Sequence, residues 1–431
     1  MAILEWSRGD VATVSLHTYE RAPQMQTGDL AVYRPRLRTD PLSRLAILTL
    51  PEDSLAILPL LQEQSDLDLQ ETFARSANSN HCAAKLTLRD VPYSPSYVLT
   101  LSDVSPNLKN LADLAFLPGF HSPTIAMLYS PVFTWAGRYK SARDTFVLEI
   151  RTLDISSGGS YPLLTSVTGL PADSLYLVAC PSDLGGVVIV TETGIVHVDQ
   201  AGRIVATSVN AWWSYATTLR TDGGSESRKL SLEGSKCIFV DGRDMLLVQS
   251  NGDVHQVRFE MDGRTIGKIT VEPQSNQLPP PAALVASGDK ALFVGCAEGD
   301  SALVKVDLVR EVVENEQKPD VDMDWDEDLY GDINAPTANG NPAAAVATGP
   351  ANVVLSTYDI LAGVGKIMDM QFGIATTDQG VKLLVFRSQG RADNSNGRTR
   401  SWLLLAAEAS IRRSMCSEGV FRSRNGDDST S

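Results

Sequence analysis

GVVIVTETGIVHV, residues 186–198, decides the fold. Two apolar runs, Gly186–Val190 and Ile195–Val198, flank the polar turn Thr191–Gly194. Valine and isoleucine suit a pleated, half-buried strand, and a turn glycine has access to positive φ, so the stretch predicts a β-hairpin. The same design recurs at Ile47–Leu50, turn Pro51–Ser54, Leu55–Leu60. It recurs at Met245–Val248, turn Gln249–Asp253, Val254–Phe259, and at Ala291–Gly295, a turn through Glu298–Asp300, then Ala302–Val306. The later turns are roughly 50 to 60 residues apart, the period of a four-stranded propeller blade with long loops. The glycines Gly194, Gly252 and Gly299 are expected to serve these turns through positive φ.

Helix signals are sparse. Pro92, Pro95, Pro106, Pro118, Pro123 and Pro131 punctuate one stretch, where loops and short strands fit better. Pro106–Leu117 reads as a helical turn or as a loop leading into a strand at Thr124–Leu128. Residues 61–80, 215–230 and 310–350 read as loops or disordered insertions. The last is acidic in its first half and small and weakly apolar in its second.

The chain has 431 residues, 43% of them hydrophobic and 21% charged, as a large all-β domain requires. A formal net charge of −15 argues against broad, sequence-blind nucleic-acid binding, which needs clustered Lys and Arg. It leaves room for a local basic patch. The five cysteines are far apart, with no CxxC pair, and read as reduced, buried thiols rather than a disulfide framework. Met1–Asp10 carries charge where a targeting segment needs an apolar core, and no apolar run is long enough to span a membrane, so no membrane association is expected.

The chemical motifs point away from catalysis. The five histidines lie at no metal-ligand spacing, and His197 and His255 fall at similar places in two hairpins, as repeated structural positions do. Asp320, Asp322 and Asp324 open like a calcium loop. The sixth and twelfth places hold Trp325 and Gly331 instead of glycine and glutamate, so the stretch reads as an acidic linker or docking segment. Gly185–Gly186 precedes a strand and lacks dinucleotide-binding spacing. No nucleophile elbow, P-loop or zinc-protease motif occurs, and no cofactor or metal is expected.

Candidate contact residues for RNA or a partner are therefore charged and aromatic. Arg34, Arg36 and Arg38 alternate, so an extended strand would place them on one face, with Arg44 nearby. Arg138 and Lys140 follow Trp135. Trp325 and Tyr330 stand in the acidic stretch, where they could anchor a partner. The plainer reading of each basic group is a solvated face.

LPGFHSPTIAMLYSPVFTWAGR at residues 117–138, the Pro181 entry into GGVVIV, DEDLYGD at 326–332 and YDILAGVGKIMDMQFG at 358–373 occur in a known order. In these stretches the chain resembles the large subunit of the cleavage and polyadenylation specificity factor and its fungal counterparts. The resemblance implies three seven-bladed propellers with a helical C-terminal part. It implies a nuclear scaffold of pre-mRNA 3′-end processing that holds WD-repeat and zinc-finger partners reading the poly(A) signal in RNA. The related alternative is a triple-propeller adaptor of the damaged-DNA-binding, ubiquitin-ligase or splicing class. On this reading residues 1–309 form an incomplete first propeller, 310–350 an insertion, and 351–386 the start of a second propeller. Residues 387–431 form an atypical, disordered tail in which WLLLAAEASIRRSMC, residues 402–416, could be a short helix.

Overall fold

The computed structural model describes residues 1–7, 10–27, 33, 35–60, 96–153, 161–221, 229–287, 291–296, 299–310, 351–362, 366–374, 382–389 and 401–407. The expected insertions at 61–80 and 311–350 lie outside the described residues, as do Arg34, Trp325 and Tyr330.

The described residues form antiparallel sheets. A hairpin of β1 (Ala2–Ser7) and β2 (Asp10–Leu16) comes first. Four four-stranded sheets follow. The first joins β3 (Leu37–Thr39), β4 (Leu45–Leu50), β5 (Ser54–Pro59) and β6 (Tyr97–Thr100). The second joins β7 (Leu111–Leu117), β8 (Thr124–Tyr129), β9 (Phe146–Thr152) and β10 (Leu163–Leu170). The third joins β11 (Ser174–Ala179), β12 (Val187–Thr191), β13 (Gly194–Val198) and β14 (Ile204–Ser208). The fourth joins β15 (Lys236–Phe239), β16 (Asp244–Val248), β17 (Asp253–Asp262) and β18 (Thr265–Gln277). In each, strands pair in chain order. First strands lie against first strands, β3 on β7 and β7 on β11, which is the radial stacking of propeller blades.

The blades are apolar on both faces because each is a slab between two others. On β8, Ile125, Met127 and Tyr129 pack toward the first blade with Leu45, Ile47, Leu55 and Ile57. Ala126 and Leu128, the alternate residues, pack toward the third with Val187, Ile189 and Val196. The pattern repeats on β16, where Met245 and Leu247 face the third blade and Leu246 and Val248 face the fifth.

The fifth blade corrects the expected domain division. It joins β19 (Pro281–Ser287), β20 (Ala291–Cys296), β21 (Ser301–Arg310) and β22 (Ala351–Leu361). β22 pairs along all of β21, Ser301 with Leu361 through Arg310 with Ala351, so the expected boundary at residue 309 falls inside a sheet. Val353 and Leu355 enter the same core as Leu246 and Val248, the burial that holds the strand there. β23 (Lys366–Ile374), β24 (Lys382–Gln389) and β25 (Ser401–Ala407) form a three-stranded sheet whose first strand lies against β19. Trp402–Ala407, expected as a helix, is therefore strand. Likewise Leu111–Leu117 is strand, and the helical turn lies earlier, at Leu101–Val104.

Gly252 and Gly299 have positive φ as expected, but Gly194 does not. At Gly194 the requirement is space: a Cβ would strike the Trp213 ring and the Thr207 carbonyl.

Candidate partner-binding face

Antiparallel pairing sends alternate connections to opposite ends of the blades. Hydrogen bonds between neighbouring loops identify the two ends. On one end, both Asp53 carboxylate oxygens, in the β4–β5 turn, accept from the N–H groups of Asn110 and Leu111, at 2.7 and 2.8 Å. On the other, the β3–β4 turn meets the β7–β8 loop.

Arg44 serves that second end. Its guanidinium donates to Asp40 Oδ2 at 2.7 Å and Oδ1 at 2.8 Å, a bidentate pair, and also to the carbonyls of Phe120 and His121 in the next blade. Both side chains are buried. Arg44, expected as a contact for RNA or a partner, thus has its donors turned into the seam between two blades. Arg36 and Arg38 also reach across that seam, to Asp113 Oδ1 at 2.9 and 3.3 Å. Asp113 is buried on β7, and its Oδ2 accepts from the Leu177 N–H of the third blade at 3.0 Å. One carboxylate therefore ties three innermost strands. The two arginines remain partly exposed, so their outer edges face solvent.

Arg138 and Lys140 lie at the first end, on the long β8–β9 loop. Arg138 sits over the Trp135 ring, 5.0 Å from its centroid, a cation–π contact. The loop is fastened to the β14–β15 connection. Arg143 donates to the Ser214 carbonyl at 3.0 Å, and Asp144 accepts from the Thr217 and Thr218 hydroxyls at 2.5 Å each. Trp212 and Trp213, at the start of a helical turn at Trp213–Ala216, differ in exposure. Trp213 is 3% exposed, packs over Gly194 and donates to the Leu219 carbonyl at 3.0 Å. Trp212 is 69% exposed and meets Tyr215 with ring centroids 5.5 Å apart. With Phe133 at 68%, Trp135 at 60% and Tyr215 at 69%, the two joined loops hold four open aromatic rings. The sequence reading missed Phe133, Trp212 and Tyr215 as site residues. The adjacent pair Trp212–Trp213 in a turn-like stretch was the available signal, since a turn cannot bury both.

The groups suited to nucleophilic or proton-transfer chemistry lie elsewhere. Burial pushes the Cys180 thiol up, and Cys237 up to about 12, so neither is a ready thiolate. Burial lowers the His197 pKa; its Nε2 lies 3.0 Å from the Gly185 carbonyl. His197 and His255 are both buried on the third strands of their blades. Among the described residues no group of His, Cys, Asp and Glu is placed to hold a metal ion.

Four-stranded antiparallel sheets, stacked first strand on first strand with open loops at both ends, define a β-propeller protein. The family described as the RSE1/DDB1/CPSF1 first beta-propeller matches residues 1–322, and the chain belongs to it. It is 29% identical over 426 residues to Protein cft1 of Aspergillus oryzae, covering 88% of this chain and 30% of that relative. It is 31% identical over 332 residues to Protein cft1 of Aspergillus niger, covering 70% and 24%. The Schizosaccharomyces pombe Protein cft1 is 26% identical over 401 residues, covering 87% and 26%. The chain thus spans less than a third of the length of these relatives.

Proposed function

We propose that this chain is the propeller-bearing part of a scaffold subunit in nuclear pre-mRNA cleavage and polyadenylation, organising the partners that read the poly(A) signal. Membership of the first-propeller family, with Cft1-named fungal relatives along most of the chain, carries this reading. The architecture supports it. Blade seams are filled with apolar side chains and ion pairs, so the loops at the blade ends are the surfaces left for partners. The role is non-catalytic on this reading. Cys180 and His197, suited by type to nucleophilic or proton-transfer work, are buried in the seams.

Expression of the tagged chain in fungal nuclei, followed by purification and identification of bound subunits, tests the proposal. Recovery of the WD-repeat and zinc-finger signal-reading subunits is the expected result. Recovery of ubiquitin-ligase or splicing subunits in their place would move the chain to the adaptor class, a reading favoured by the RSE1 and DDB1 members of its family.

A further inference from the structure

Trp212 and Tyr215 form a notch that blade packing does not need. Both rings are open to solvent, and their planes are inclined at 52° with centroids 5.5 Å apart. The backbone that carries them is fixed. Trp213 between them is buried and donates to the Leu219 carbonyl, and Asp144 of the neighbouring loop holds Thr217 and Thr218. The Trp212 indole N–H and the Tyr215 hydroxyl make no hydrogen bond among the described residues, so each ring carries an open donor at its polar edge. The adjoining β8–β9 loop adds the open rings of Phe133 and Trp135, the latter with Arg138 on one face. Charge around these rings is even. Arg138, Lys140, Arg143 and Arg220 are offset by Asp144, Asp173 and Glu192, with Asp222 and Glu226 following in sequence.

We infer that this notch docks a proline-rich segment of a partner protein in the polyproline II conformation. Such a segment has few N–H donors and no internal hydrogen bonds, so its carbonyls stand outward as acceptors. Flat apolar rings with a donor at one edge are the complement of that surface. The inclined faces of Trp212 and Tyr215 receive a pyrrolidine ring, and the indole N–H and phenol O–H donate to the carbonyls beside it. Rings on a fixed backbone meet a ligand that is already extended, so little ordering is left to be done on binding. The even charge around the rings suits an uncharged segment and gives no reward to a polyanion. A peptide strand would need a free sheet edge, and an amphipathic helix an apolar groove, whereas this surface is two cross-linked loops.

The test is fluorescence anisotropy of the full chain with labelled decaproline, against a Gly-Ser peptide of equal length, alongside Trp212→Ala and Tyr215→Phe. Trp212→Ala is expected to bind decaproline about tenfold more weakly, the scale of a lost aromatic anchor. Tyr215→Phe keeps the ring and loses the donor, and is expected to cost about fivefold, the scale of one hydrogen bond. Raising salt from about 50 to 500 mM is expected to leave the wild-type affinity within about twofold, because screening has no ligand charge to act on. Both side chains are exposed, and unchanged melting temperatures would show that the variants are folded. No binding of decaproline at about 1 mM, or equal binding of the Gly-Ser peptide, overturns the inference. Unchanged affinity in Trp212→Ala overturns it too. Tighter binding of a labelled twelve-nucleotide oligouridylate, lost in Trp212→Ala, would assign the face to nucleic acid and overturn it equally. Failure here leaves the nuclear purification result standing, so the two readings fail separately.

Discussion

Two basic groups that look alike in sequence have opposite fates in the fold. Arg36, Arg38 and Arg44 reach across the seam between the first two blades, with Asp113 and Asp40 as their acceptors. Arg138 and Lys140 stand on a loop at the blade ends, one on an aromatic face and the other exposed. The spacing of like charges is uninformative about which is which. What separates them is the acceptor: for Arg36 and Arg38 a carboxylate of the next blade, about 75 residues away, and for Arg44 two carbonyls of that blade together with Asp40 of its own turn.

The strongest way to break the comparison is to remove one acceptor. Asp40→Ala leaves the Arg44 guanidinium buried beside two carbonyls with no counter-charge. Breaking a buried pair from one side costs about 3–5 kcal/mol. Urea unfolding should show this as a lower midpoint at unchanged slope. A loss under about 1 kcal/mol would mean the seam arginine is held no more firmly than an exposed one.

The hairpins read from sequence are the second and third strands of their blades: β4–β5, β12–β13, β16–β17 and β20–β21. These strands are buried on both faces and read as dense apolar runs. The outer strands were harder to see. β10 buries only Val167 and Leu170, and β18 ends in the polar stretch Gln274–Gln277. β22 was legible as strand, but its partner β21 ends far back in sequence, at Arg310, so its place in the fifth blade was hidden. The aromatic face of the two joined loops was half legible for a similar reason. Trp135 and Arg138 are neighbours in sequence, whereas Trp212 and Tyr215 join them only through the Asp144 staple.

A second test uses a polar group that a different seam encloses. His197 is buried between the third and fourth blades, edge-on to Phe259 at 6.1 Å, and burial lowers its pKa. The unfolded chain takes up a proton near the ordinary value of about 6.5, whereas the folded chain resists it. The stabilising contribution is therefore present above about pH 6.5 and lost as pH falls, by at most about 1.4 kcal/mol per pH unit. His197→Gln should flatten the fall in melting temperature between about pH 7 and 5. An unchanged slope would show that other groups carry the acid sensitivity.

The smallest expected effect falls on the other side of the comparison. Arg138→Ala/Lys140→Ala removes two cations without opening a seam, because neither fills a core and Arg138 rests on a ring that is itself exposed. Substitutions at such positions usually change stability by no more than about 0.5 kcal/mol. Urea unfolding should therefore place the double variant near the wild type, several-fold less perturbed than Asp40→Ala. A larger loss would show that Arg138 braces the β8–β9 loop against the next blade. The two basic groups would then differ in position but not in kind, since both would be structural ties and neither a surface kept open for a ligand.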